Sequence, residues 1–220
     1  MADYKALVLG STGAIGQSQR CTKIIALSRR AIDPSAFATV FPGVQPEGAS
    51  KIHVQVVDYD NIVTADSASF QADAAFCCLG TTRHDAGSDE AFRKEIEIEN
   101  VVDLEYVANT GKLLKPNNVP YFALVSAMNA NANSWFLYPK TKGVSAEAIK
   151  ALNFQRTTIL EPGLSQRGDL TRFAERLGHW FFVPSVSVAA VAKSMIHDYE
   201  VNGTTSGVRI VSNSEIKAFD

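Results

Sequence analysis

The amino-acid sequence predicts an α/β fold, a single domain built on a doubly wound parallel sheet. Three observations predict it. Short apolar runs recur along the chain, stretches of helical spacing lie between them, and a glycine-rich turn follows the first run close to the amino terminus. Runs that are apolar at nearly every position suit strands covered on both faces, as in a parallel sheet. Alternation of strand and helix then requires right-handed crossovers, the Rossmann-type arrangement, in which ligands sit beyond the carboxyl ends of the strands.

The runs are Ala6 to Leu9, Ile24 to Leu27, Ile52 to Val57, Ala74 to Leu79, Tyr121 to Val125 and Thr158 to Leu160. The clearest helical stretch goes from Asp89 to Gly111, with Ser88 as N-cap and Gly111 as its stop. A final helix is expected over Ser187 to Tyr199, with Ala190, Val191, Ser194 and Met195 on one face. One connection is short, because only Gln17 to Cys21 separate the last glycine of the turn from the second strand, whose apolar run begins at Ile24. A parallel crossover usually takes ten or more residues. Either the first helix has been lost or the sequence omits a stretch there.

With 220 residues the chain fits one domain, and 46% hydrophobic and 20% charged residues with a net charge of -2 are those of an ordinary soluble protein. No basic tract interleaved with aromatics argues for a nucleic-acid partner, and no apolar run approaches the roughly 20 residues of a membrane helix. The three cysteines, Cys21, Cys77 and Cys78, have no metal-type spacing and read as small buried hydrophobes. No metal site is therefore expected. The amino terminus shows no secretory signal, so a cytoplasmic location is expected.

The turn reads Gly10-Ser11-Thr12-Gly13-Ala14-Ile15-Gly16 directly after the first strand. Glycines there allow a tight turn and let backbone N–H groups approach a diphosphate. After the second strand come Arg29 and Arg30, where selectivity for NAD would call for an acidic residue. A guanidinium makes paired bonds to a phosphate instead, which points to the 2′-phosphate of NADP(H). Asp58, ending the third strand, is either an acceptor for the adenine amino group or only a turn residue.

Tyr138 and Lys142 stand at i and i+4, hence on one face of a helix whose first turn tolerates Pro139. A nearby ammonium favours phenolate and would lower the tyrosine pKa toward a value useful for proton transfer. Such pairs are also common on plain surface helices, so the pair gains meaning from Ser126, at the carboxyl end of the fifth strand. A hydroxyl there can hold a substrate carbonyl while Tyr138 donates the proton.

Taken together, these residues resemble the short-chain dehydrogenase/reductase superfamily, which pairs a glycine-rich turn with a Ser and Tyr-x-x-x-Lys site. The run Phe76-Cys77-Cys78-Leu79-Gly80-Thr81-Thr82-Arg83, with Ala86-Gly87-Ser88 and Phe92, is similar to the Tat-interacting-protein family of atypical reductases and to bacterial nucleoside-diphosphate-sugar-epimerase-like relatives. The resemblance implies that Gly10, Ser11, Thr12, Gly13, Ala14, Ile15 and Gly16 hold the diphosphate and that Arg29 and Arg30 meet the 2′-phosphate. It also implies that Leu79, Gly80, Thr81 and Thr82 run along the cofactor and that Pro162 and Gly163 turn beside the nicotinamide. Ser126, Tyr138 and Lys142 would form the catalytic set. Glu161, Ala127, Met128 and the short first helix depart from the pattern.

Two functions follow as expectations. The first is an NADP(H)-dependent oxidoreductase acting on a small carbonyl substrate, as a monomer or homodimer, with the segment 163–186 as substrate or lid region. Within that segment Phe173, Leu177, Trp180, Phe181 and Phe182 are a lid, a docking surface or core. The second is a regulatory protein that senses redox state through NADP(H) and acts through protein partners without turnover. A sugar-nucleotide epimerase is a weaker third reading, since little chain remains for a substrate lobe.

Overall fold

The computed structural model describes residues 2–10, 18–41, 44–65, 67–79, 104–165 and 185–220. Nine strands lie among them: β1 Tyr4–Leu9, β2 Cys21–Ser28, β3 Ile52–Val56, β4 Ala74–Cys77, β5 Tyr121–Val125, β6 Arg156–Glu161, β7 Leu164–Ser165, β8 Ser185–Val186 and β9 Gly207–Ser212. Seven form one sheet in the order β3-β2-β1-β4-β5-β6-β9, and β7 pairs separately with β8. Each neighbouring pair is parallel. The first six strands take the doubly wound order, with its switch point between β1 and β4. All six expected runs became strands.

Alternation along each strand sends successive side chains to opposite faces. Ala6, Val8, Ile24, Phe76 and Ala123 pack on one face against Ala190, Val191 and Met195 of the helix Val188–Asn202. Leu7, Leu9, Ile25, Phe122 and Leu124 pack on the other against Val107 and Leu114, in a helix described over 104–114, and Ala146 and Ile149 of the helix Leu137–Ala151. Burying one such Leu or Phe contributes about 1.5–3 kcal/mol. This double cover explains why the strands are apolar at almost every position.

The helix Val188–Asn202 starts where expected, because the Ser187 hydroxyl accepts a hydrogen bond from the Ala190 N–H at 3.0 Å. Its buried residues include the expected Ala190, Val191, Ser194 and Met195, with Asp198 one turn further. Gly111 plays a different part from the stop expected of it, since residues 104–114 are helical. A Cβ there would lie 2.6 Å from Leu152 Cδ1 and 2.8 Å from Ile149 Cδ1. Gly111 therefore lets two helices touch, and the chain turns later, where Asn118 takes a φ of 57°. Residues 89–103 of the expected helix, with its Ser88 cap, fall outside the described residues.

β9 was not anticipated. As an edge strand it leaves Val208 54% and Ile210 50% exposed, so its sequence lacks a continuous apolar run. The short connection after β1 brings the chain back with no helix in its described part, Ser18 to Arg20. Residues 10–20 can reach roughly 35 Å when extended, against roughly 20 Å for a six-residue strand. A crossover without a full helix is therefore sterically possible. Tyr4 N–H donates to the Arg20 carbonyl at 3.0 Å, and Ser18 Oγ donates to Glu200 at 2.6 Å.

A buried polar cluster ties the Val188–Asn202 helix to the amino-terminal halves of β5, β6 and β9. Asp198, 3% exposed, accepts from Tyr121 Oη at 2.9 Å, Thr158 Oγ1 at 2.6 Å and Asn202 Nδ2 at 3.0 Å. Arg209 Nε lies 3.4 Å and Arg156 Nη2 3.7 Å from the same carboxylate. A charge withdrawn from water is tolerated because three hydrogen bonds and two guanidiniums meet it, although Arg156 Nε has no hydrogen-bond partner among the described residues. Burial and the facing Asp198 push the Tyr121 phenol well above its ordinary pKa.

Candidate functional site

At the switch point the chain leaves β1 through Gly10, whose φ is +90°. A Cβ at this position would lie 2.8 Å from the Cys78 carbonyl oxygen and 3.2 Å from the Leu79 nitrogen. Backbone conformation and space both demand glycine. The edge is held in register by Cys78 N–H donating to the Leu9 carbonyl at 2.8 Å. Ser11, Thr12, Gly13, Ala14, Ile15 and Gly16 lie outside the described residues, as do Gly80, Thr81 and Thr82 and the aromatic residues of the 163–186 segment.

Cys21 and Cys77 are fully buried, as expected of small hydrophobes. Cys78 is half-buried, its Sγ 3.7 Å from Met195 Sδ, and desolvation pushes its thiol up to about 12.

Beyond β2 the Ser28 hydroxyl accepts from Arg30 N–H at 3.1 Å and donates to the Arg30 carbonyl at 2.7 Å, folding the chain into a tight turn. Arg29 and Arg30 are both exposed. Among the described residues neither guanidinium is paired with a carboxylate. Asp58 accepts from Asp60 N–H at 3.0 Å and Asn61 Nδ2 at 2.8 Å, which is the geometry of a turn residue. Those bonds, led by the Asn61 side chain, hold its carboxyl below the usual range.

Ser126 sits just past β5, 4% exposed, its N–H bonded to the Leu160 carbonyl at 2.8 Å. Its Oγ donates to the Lys142 carbonyl at 3.4 Å, and Lys142 Nζ donates to the Leu79 carbonyl at 3.3 Å. The fold thus joins the carboxyl ends of β4 and β5 to the Leu137–Ala151 helix at Lys142. Val125, Leu79 and Ser145 line a small cavity beside these groups. Pro139 falls in the helix's first turn, where no N–H is needed. Gly143 lets this helix meet the loop after β5, since a Cβ would lie 2.2 Å from Ala132 N.

Tyr138 is 47% exposed, one turn before Lys142. Desolvation raises its phenol above the ordinary value, contrary to the lowering expected from the lysine. At the turn after β6, the Pro162 carbonyl accepts from Met128 N–H at 2.8 Å, and Gly163 N–H donates to Asn213 Oδ1 at 2.6 Å. Burial raises the Glu161 carboxyl.

Two groups escaped the sequence reading. Tyr106 stacks on Tyr59 with centroids 4.8 Å apart and donates to Asp60 Oδ1 at 3.1 Å, next to the arginine turn. No local spacing joins these residues, which come from separate crossovers. Trp135, Phe136 and Leu137 stand exposed directly before Tyr138. Here a signal existed, in four large apolar residues running consecutively into a helix start.

Strand order and this carboxyl edge together define a protein of the Rossmann-type fold. No family model matches the chain. It is 26% identical over 216 residues to Protein HTATIP2 of Rattus norvegicus, covering 90% of this chain and 82% of that protein. To Protein FMP52, mitochondrial, of Candida albicans it is 31% identical over 187 residues, covering 79% of this chain and 75% of the relative. The chain belongs to the FMP52 family, and its kinship with HTATIP2 agrees with the Tat-interacting-protein resemblance seen in the sequence.

Solved structures share the fold. The UDP-N-acetylglucosamine 4-epimerase of Bacillus cereus superposes with a TM-score of 0.62 at 17% identity, covering 97% of this chain and 82% of its own. An ElxO variant with NADPH bound gives 0.62 at 15% identity, covering 98% and 99%.

The relatives correct one expectation. The cytoplasmic location read from the amino terminus is overturned by the FMP52 proteins of Candida albicans, Candida glabrata and Meyerozyma guilliermondii, all named mitochondrial. A missing secretory signal speaks only to secretion, which is why that reading failed. The alignment with the Candida glabrata protein runs over 251 positions, longer than the 220 residues here, so that relative carries stretches this chain lacks.

Proposed function

We propose that the chain binds NADP(H) across the carboxyl ends of β1 and β4 and reduces a small carbonyl compound, with Tyr138 as proton donor. The observation that carries this reading is Gly10, left-handed and pressed against the Cys78 carbonyl, a turn at the switch point that only glycine can make. Gly10 and the glycine-rich residues after it would hold the diphosphate, Arg29 and Arg30 the 2′-phosphate, and Leu79, Pro162 and Gly163 the nicotinamide half. When bound, the cofactor supplies hydride.

The chain's own groups supply the rest. Ser126 Oγ, spent now on a long bond to the Lys142 carbonyl, can turn its hydrogen to a substrate oxygen. The Tyr138 phenol is raised rather than lowered, so it is protonated at neutral pH as an ordinary tyrosine is, the form a donor in the reductive direction needs. Lys142, tethered to Leu79, fixes the helix against the cofactor groove. Solved relatives in fold support a nicotinamide dinucleotide, since ElxO is seen with NADPH and Bordetella bronchiseptica WbmH with NAD+. By kinship with the FMP52 proteins the site of action is the mitochondrion. The protein acts as a monomer or homodimer.

Calorimetric titration with NADPH and NADH tests the cofactor. NADPH should bind tighter to the wild type, and Arg29→Ala should lose roughly tenfold for NADPH alone, the worth of a charge-assisted pair. Equal affinities would remove the case for NADP(H). Turnover followed by NADPH absorbance over a panel of carbonyl compounds tests the chemistry, with Tyr138→Phe expected to fall by roughly 10²–10⁴. Undiminished Tyr138→Phe turnover rules out the donor role, and binding without turnover across the panel favours the redox-sensing alternative.

A further inference from the structure

Beside the arginine turn lie two carboxylates that ought to compete with a phosphate for those guanidiniums. Asp58 and Asp60 are both exposed and follow β3, the strand paired with β2. Each is nevertheless committed elsewhere. The turn holds Asp58 through Asp60 N–H and Asn61 Nδ2, and Tyr106 holds Asp60 through a phenol hydrogen bond of 3.1 Å. The Tyr106 ring cannot swing freely, because it stacks on Tyr59 at an interplanar angle of 23°. Tyr59 is itself 4% exposed, its hydroxyl donating to the Leu27 carbonyl at 3.4 Å.

Arg29 leaves β2 straight after Ser28, which pairs with Val56 and whose carbonyl accepts from Val57 N–H at 2.9 Å, so it stands beside the turn that carries Asp58 and Asp60. Its charge opposes the effect of burial on both phenols of that region. We propose that Tyr106 is a specificity-determining positioning residue, which occupies the Asp60 carboxylate and so leaves Arg29 available for a 2′-phosphate. The inference rests on the NADP(H) reading above and deepens it. Its logic is electrostatic: a carboxylate released from Tyr106 would pair with Arg29 or repel the incoming phosphate, and either action penalises NADPH but leaves NADH untouched.

Tyr106→Phe keeps the ring and its stack while removing the hydroxyl. The ratio of NADH to NADPH dissociation constants should fall roughly two- to fivefold, the worth of an exposed ion pair, with NADH affinity unchanged. Adding Asp60→Asn to Tyr106→Phe removes the freed charge and should restore the ratio, a rescue that a purely structural role for Tyr106 would not give. A ratio unaltered in Tyr106→Phe overturns this inference while leaving the cofactor reading intact. Loss of affinity for both cofactors alike, with no rescue by Asp60→Asn, overturns it too. A wild type that binds neither cofactor, or both equally, instead defeats the cofactor reading on which the inference stands.

Discussion

The two ends of the sheet treat polar groups in opposite ways. At the amino-terminal halves of β5, β6 and β9, Asp198 is buried and met by Tyr121, Thr158, Asn202 and two arginines. At the carboxyl ends of β1 and β2, Gly10 adopts a conformation other residues avoid, and Arg29 and Arg30 project without a carboxylate partner among the described residues. One end spends its polar groups on the fold, whereas the other leaves its arginines exposed, as the proposed phosphate site requires. Satisfied and buried charges fix a helix to a sheet, while unspent ones at a switch point are what a phosphate needs.

Substitutions can break that contrast. Asp198→Ala should have the largest effect on stability, because it strands Arg156 and the Tyr121 hydroxyl in the interior. A loss of about 3–5 kcal/mol is expected by urea unfolding, and a loss under 1 kcal/mol would mean that the cluster is not the anchor described. Gly143→Ala drives a Cβ to 2.2 Å from Ala132 N. It should cost about 1–3 kcal/mol and lower turnover by shifting the Ser126 loop against the Tyr138 helix.

Gly10→Ala is a sharper probe of the carboxyl edge. Its left-handed φ and the 2.8 Å approach to Cys78 O predict a cost of about 1–2 kcal/mol in stability. Calorimetry should show a disproportionate loss of dinucleotide affinity, and unchanged affinity would separate that edge from binding. The smallest effect concerns Glu215, whose carboxyl is lowered first by the backbone bond from Ser212 in a capping box. A lowered native pKa gives stability that is present above the unfolded value of 4.5 and lost as pH falls through the native one. Glu215→Gln should therefore flatten the acid limb of a thermal melting series and leave the melting temperature nearly unaltered once the pH lies below the native pKa.

Much of the fold was legible in advance because covered strands must be apolar on both faces, a pattern that survives in six short runs. The helix start at Ser187 and the shared face of Ala190, Val191, Ser194 and Met195 were legible for a similar reason, since helical period is local. Where meaning depended on a distant partner, reading failed. Gly111 looks like a stop until Leu152 and Ile149 are seen against it. β9 hides because an edge strand keeps polar and apolar residues mixed.

The candidate site divides along the same line. Gly10, Arg29 and Ser126 could be placed from the sequence, since each follows an apolar run at a strand's carboxyl end. The direction of the Tyr138 shift could not, because it depends on how much water the folded surroundings remove rather than on the lysine one turn away. Nor could the Tyr106, Asp60 and Tyr59 group, assembled from two crossovers. The sequence by itself determined the six apolar strands, the final helix and which residues stand at the strands' carboxyl ends, since those follow from local periodicity and turn chemistry. Tertiary structure alone decided which charges are spent and which remain available, because pairing and desolvation depend on neighbours far apart along the chain.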